Sequence, residues 1–133
     1  MTASPDVIDR TTAALVLIDM QERLVAAMER RDAVVRASAL LARTAGVLGM
    51  PVIVTRQYPE GLGDTVEDLA GVPGCGNPVD KTVFDCTREP AFAERLAAAG
   101  ATQVLLAGME THICVMQTAL SLASSGYRVH VVA

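Results

Sequence analysis

Cys114 is the residue of this sequence best placed to act as a nucleophile. It closes the stretch Gly108-Met109-Glu110-Thr111-His112-Ile113-Cys114, which reads as a strand-to-helix turn with the cysteine near the helix start. A helix N-terminus offers unpaired N–H groups and the positive end of a dipole, and both stabilise a thiolate or a developing oxyanion. A free cysteine is also often a small buried apolar residue, and that reading of Cys114 stays open on local sequence. Asp19 is the second candidate, an acidic residue that ends the unbroken apolar run Ala13 to Ile18. It could be a general base, a metal ligand or a cap for the following helix. Lys81, between Asp80 and Thr82, is either a solvated lysine or a cation serving the same cleft.

Other chemistries find less support. The two histidines, His112 and His130, form no H-x3–5-H or H-E-x-x-H spacing, so no metal site is expected. His112 is two residues from Cys114 on one helix, which sends the two side chains to different sides. His130 lies inside a strand pattern and reads as packing. No GxGxxG or GxxxxGK motif follows a strand, so no nucleotide cofactor is expected. Cys75, Cys86 and Cys114 suit neither a disulfide framework nor a CxxC site. Cys75 and Cys86 read as structural or incidental. The stretch from Met1 to Ala14 lacks the apolar segment of a signal peptide, so a cytoplasmic protein with reduced thiols is expected.

Composition narrows the class further. The chain has 133 residues, the length of one domain, and 51% of them are apolar against 20% charged. That mixture is too apolar for disorder, and no run approaches the ~18 apolar residues that a spanning helix needs. Eleven Lys and Arg against fifteen Asp and Glu leave a net charge of −4, with no basic stripe for nucleic acid. Aromatics at 3% supply little for stacking on single strands.

The elements that must position these residues follow from hydrophobic patterning. Ala13 to Ile18 is continuous rather than alternating, the mark of a parallel strand buried on both faces. Leu24 and Met28 mark a short helical turn. Asp32 is placed to cap a longer helix with Val34, Ala37, Leu41, Ala45 and Leu48 as its apolar stripe, stopped by Gly49 and Pro51. A second strand spans 51–55. Between Arg56 and Asp80 the pattern dissolves into a region rich in glycine and proline, the composition of a lid or binding loop. A short strand over 79–83, a helix from Pro90 to Gly100, a strand over 103–107, a helix over 112–125 and a strand over 127–132 complete the order. This order gives an α/β fold, a doubly wound parallel sheet with helices on both faces. Ligands then bind beyond the carboxyl ends of the strands, where Asp19, Thr55-Arg56, Lys81 and Gly108-Met109-Glu110 fall.

Leu15-Val16-Leu17-Ile18-Asp19-Met20-Gln21, Lys81, and Gly108-Met109-Glu110-Thr111-His112-Ile113-Cys114-Val115 together resemble the isochorismatase-like cysteine hydrolase superfamily. The similarity runs from about residue 13 to 133. Val52-Ile53-Val54-Thr55-Arg56-Gln57-Tyr58-Pro59-Glu60-Gly61-Leu62-Gly63 is further similar to the branch of isochorismatase domain-containing proteins. The resemblance implies a catalytic triad of Asp19, Lys81 and Cys114 and a cis peptide at Met109–Glu110. Isochorismatases proper lack the cysteine, which argues against vinyl-ether hydrolysis here. The metal-binding nicotinamidases of the superfamily carry histidines after the second strand, where this chain has Arg56-Gln57-Tyr58-Pro59-Glu60.

The expectation is therefore a single hydrolase domain over 1–133 acting on a small amide or related C–N bond. Asp19 takes the thiol proton, Lys81 keeps Asp19 ionised and favours the thiolate, and the N–H groups of Glu110 and Cys114 receive the oxyanion. Gln21 and Tyr58 are expected to line the pocket. The partner is a small-molecule substrate, with no nucleic acid and no membrane. Alternatives from other classes are a flavodoxin-like phosphoacceptor or ligand-binding module, and a catalytically silent oligomeric scaffold. Superfamily members continue past the fifth strand into a further strand and helix. The fold is thus expected to be truncated after that strand, its C-terminal portion missing, and the chain to form a homo-oligomer or to be part of a longer fold.

Overall fold

All six residues of the first strand, β1 (Ala13–Ile18), are buried, yet successive side chains enter different cores. Ala13, Leu15 and Leu17 pack into one core, and Ala14, Val16 and Ile18 into another. Two covered faces explain the unbroken apolar run, since neither set of alternate positions meets water. The computed structural model describes residues 7–132; Met1 to Asp6, part of the N-terminal reading above, and Ala133 lie outside the described residues.

The remaining elements are α1 (Glu22–Ala26), α2 (Arg31–Leu48), β2 (Val52–Gln57), α3 (Pro59–Leu62), α4 (Glu67–Ala70), β3 (Val79–Lys81), α5 (Pro90–Ala99), β4 (Gln103–Gly108), α6 (Met116–Ser124) and β5 (Arg128–Val131). A 3-10 turn covers Cys86–Arg88, and a π-helical turn over Thr111–Val115 leads into α6. The strands form one parallel sheet in the order β3-β2-β1-β4-β5. Helices α1, α2 and α4 cover one face, and α5 and α6 cover the other. The switch in strand order falls at β1, between β2 and β4, so the cleft opens above Asp19.

Several expectations need correction. Asp32 does not cap α2: the cap position is Arg30, no side chain caps it, and Asp32 lies in the first turn facing the helix dipole. The buried stripe of α2 is Val35, Ser38, Ala39, Ala42 and Ala45, with Ala37 and Leu48 exposed. Of the expected stripe, Ala45 is buried and Val34 and Leu41 are partly buried against the same core. The region after Arg56 is not structureless, because β2 extends to Gln57 and the one-turn helices α3 and α4 follow. The third strand is shorter than expected and ends at Lys81. Strand β5 is only half-buried, with Val129 and His130 partly covered and Val131 half exposed.

Candidate active site

Three strands deliver three polar side chains to one buried point. Asp19 follows the last residue of β1, with its backbone in the left-handed region at φ 53°. The turn is tight, since Gln21 N–H donates to Asp19 O at 2.8 Å. Beside it, in register with Ile18, Thr55 of β2 donates its hydroxyl to Asp19 Oδ1 at 2.8 Å. Lys81, at the end of β3, places Nζ 3.1 Å from Asp19 Oδ2, and neither side chain is exposed at all. A buried lysine is tolerable only when its charge and its hydrogens are met. Its Nζ also reaches Gln57 Oε1 at 2.7 Å, Val83 O at 3.1 Å and Phe84 O at 3.5 Å. The solvated-lysine reading fails here because four oxygen acceptors surround the ammonium.

Cys114 enters from the far side of the switch point. The Met109–Glu110 peptide is cis, as the resemblance implied, and the π-helical turn that follows carries Cys114 over the sheet. Its Sγ lies 3.6 Å from Lys81 Nζ. Burial pushes the thiol up to about 12, and the Asp19 charge and hydrogen bond push the same way. Lys81 pulls it down but is outweighed. Burial and Asp19 thus favour the thiol form at Cys114, and Lys81 opposes them.

Gly108 makes the approach possible. It pairs with Ile18, and a Cβ built on it would stand 2.1 Å from Ile18 O, with φ at +125°. Only glycine lets the β4 turn pass this close to the residue before Asp19.

The remaining sequence candidates are placed around this centre. Gln21 is fully buried, and both of its amide hydrogens go to backbone carbonyls, Gln57 O and Gly63 O, each at 2.9 Å. In this structure it braces the loop rather than facing open space. Tyr58 is half exposed, and its ring lies over Gly61, where a Cβ would come within 2.3 Å of it. Glu110 and His112 pair with each other at 3.8 Å, and the His112 side chain is largely exposed. Thr55 is expected from the sequence only as a strand-end position without a role, and Gln57 is not among the sequence candidates because the second strand is expected to end at Thr55, two residues short of its observed end. Arg56 points away from the site and ties the region together. It grips Asp80 at 2.6 and 2.7 Å and Asp64 at 2.8 Å, and these hydrogen bonds raise its pKa further above the ordinary arginine value. Cys75 and Cys86 are buried within the cores, and burial raises the pKa of both.

Residues 13–133 match the isochorismatase domain model. This chain belongs to the isochorismatase family. Isochorismatase domain-containing protein 1 of Salmo salar is 38% identical over 122 residues, covering 92% of this chain and 43% of its own length. The chain spans about half the length of the curated relatives it matches. Among solved structures, that of the MAR1 ribonuclease from Caenorhabditis elegans superposes with a TM-score of 0.85 at 36% identity. It covers 94% of this chain and 64% of that one. The Escherichia coli YcaC gene product, described as an octameric hydrolase of unknown specificity, gives 0.86 at 26% identity, covering 98% of this chain and 66% of its own. The isochorismatase fold, a doubly wound α/β sheet, is therefore the setting in which Asp19, Lys81 and Cys114 meet.

An open groove of about 560 Å³ is lined by residues that include Val83, Phe84, Arg88, Gln117, Leu120 and Ser121, and Asp19, Lys81 and Cys114 are not among its lining. Val83 and Phe84 are the residues whose carbonyls accept from Lys81, so the groove wall is tied to the site.

Proposed function

We propose that this chain carries the catalytic core of a cysteine hydrolase that cleaves a small amide or related C–N bond. One observation carries the reading: a buried Lys81 ammonium sits between the Asp19 carboxylate at 3.1 Å and the Cys114 sulfur at 3.6 Å. In the proposed reaction Asp19 takes the thiol proton as Sγ bonds to the substrate carbonyl carbon. The oxygen, now negative, is received by the N–H groups of Glu110 and Cys114; losing one such donor typically costs ~10²–10³ in rate. Collapse breaks the C–N bond, and the amine leaves with the proton that Asp19 returns. Water then attacks the thioester with Asp19 again as base, releasing the acid and restoring the thiol. Lys81 pairs with Asp19 at 3.1 Å between steps and offsets the thiolate charge as it forms. Thr55 fixes the carboxylate, and Tyr58 at the loop edge is assigned to contact substrate.

The other classes account for less. A phosphoacceptor would need a second acidic residue beside Asp19 to hold a divalent cation, and its chain neighbours Ile18 and Met20 are apolar. A silent scaffold gives no reason to bury an ion pair beside a thiol, at a desolvation cost of several kcal/mol. The Caenorhabditis elegans relative is called a ribonuclease. A net charge of −4 and a thioester-forming nucleophile favour a small amide over an RNA backbone here. The octameric state of the Escherichia coli relative supports a homo-oligomer for this chain.

Hydrolysis of a panel of small aliphatic and aromatic amides, with RNA as a parallel substrate, tests the proposal. Cys114→Ala should lower amide turnover by at least about a thousandfold while the melting transition stays cooperative. Comparable turnover in the variant, or cleavage of RNA alone, would defeat it.

A further inference from the structure

We infer that Gln57 is a positioning residue that decides how much of the Lys81 cation reaches Cys114. The inference rests on the hydrolase reading above and concerns the same site. An ammonium has three hydrogens to give. Three acceptors lie within 3.1 Å of Lys81 Nζ: Gln57 Oε1 at 2.7 Å, Asp19 Oδ2 at 3.1 Å and Val83 O at 3.1 Å. Phe84 O at 3.5 Å and Cys114 Sγ at 3.6 Å, the latter an ordinary distance for a hydrogen bond to sulfur, compete for the same three hydrogens. Gln57 makes the shortest of these contacts, and it is the sole neutral side chain among the three acceptors. The amide cannot flip, because lysine accepts nothing and the oxygen must therefore face it.

The acceptor is also held rigidly. Gln57 N–H donates to Gln21 Oε1 at 2.7 Å, and Gln57 O accepts from Gln21 Nε2 at 2.9 Å. Gln21 is fully buried two residues beyond Asp19, so one brace sets both the carboxylate and the acceptor that competes for its lysine. The charged groups facing the Cys114 thiol are Asp19 from the end of β1 and Lys81 from β3. Glu110 and His112, on its own turn, have exposed side chains 3.8 Å from each other, and burial raises the pKa of Cys86 in the same core. Gln57 thus competes with the sulfur for the ammonium hydrogens and sets how strongly Lys81 favours the thiolate.

The test reads Cys114 itself rather than turnover. Alkylation of the full chain by iodoacetamide is followed between about pH 7 and pH 11, with peptide mass mapping to separate Cys114 from Cys75 and Cys86. Gln57→Leu removes the closest competing acceptor, strengthens the Lys81 contact to Cys114 and should move the Cys114 reactivity profile to lower pH. Gln57→Glu, nearly the same shape, adds a second carboxylate against Lys81 and should move it to higher pH. Each shift should be about one pH unit. If Gln57→Leu does not fold, Gln57→Met keeps the chain length and takes its place. A merely structural glutamine would move both variants the same way. Shifts of equal sign, or an unchanged profile, overturn the inference. Opposite shifts in a protein whose Cys114→Ala variant still hydrolyses amides would overturn the hydrolase reading alone.

Discussion

Lys81 Nζ lies 3.1 Å from Asp19 Oδ2 although the two residues are 62 positions apart, and both side chains are wholly buried. Each makes the other tolerable in the interior. Lys81→Met should therefore strand an uncompensated carboxylate and cost about 3–5 kcal/mol in urea unfolding. The double variant Lys81→Met, Asp19→Asn should recover part of that loss, since no charge is then left buried. A single-variant cost below about 1 kcal/mol would mean that the pair is hydrated rather than sealed.

Alkaline stability should report the buried thiols. Cys114 is held up to about 12 and Cys86 to about 11, against an ordinary 9.0, chiefly by burial in both cases. Between those values the unfolded chain has lost thiol protons that the folded chain keeps, so stability falls as pH rises. Below pH 9.0 these groups contribute no slope. Urea midpoints measured from about pH 8 to pH 11 should decline above 9 and decline less steeply in Cys114→Ala and Cys86→Ala.

Two glycines should respond in opposite directions. Gly46 lies in α2 with nothing within 4 Å of the place a methyl group would occupy, so Gly46→Ala should stabilise the chain by about 0.5–1 kcal/mol. Gly108→Ala would drive its methyl into Ile18 O, 2.1 Å away, on a backbone that L-residues rarely adopt. Thermal melts should show a loss of at least about 3 kcal/mol, and Asp19 should be displaced with Ile18.

The edge of the sheet should drive association. Among the described residues strand β5 pairs with β4 alone, and Val131 is 50% exposed beside it. On the helix that packs against β5, Met116 and Leu120 are also largely exposed. Light scattering behind size-exclusion chromatography should find oligomers at micromolar concentration, and Val131→Lys should shift them toward monomer. A wild-type monomer with a cooperative melt would contradict this expectation.

Much of the frame was legible in the residues. Unbroken apolar runs such as Ala13 to Ile18 have one economical solution, a parallel strand between helical layers. Pro90 at a helix start and Gly49 and Gly100 at helix ends mark boundaries by backbone geometry alone. Acidic and thiol residues at strand and turn ends, Asp19 and Cys114, could be read as candidates because such ends meet the cleft in any doubly wound sheet. Lys81 could be named but not understood, since a lysine between Asp80 and Thr82 looks solvated until its neighbours are known.

What the sequence left undecided depends on contacts between distant positions. Whether Lys81 is buried rests on the pairing of β2 with β3 and on carbonyls from Val83 and Phe84 turning inward. The balance at Cys114 is a difference between burial, the Asp19 charge and the Lys81 charge, and no spacing along the chain fixes its sign. Gln57 shows the same limit: its role comes from Gln21, 36 positions away, clamping its backbone while Lys81 takes its side chain. Local patterning determines which segments become strands and helices because each segment buries its own face. Tertiary structure decides charge and reactivity because these depend on distances of a few ångströms between residues that only the completed sheet brings together.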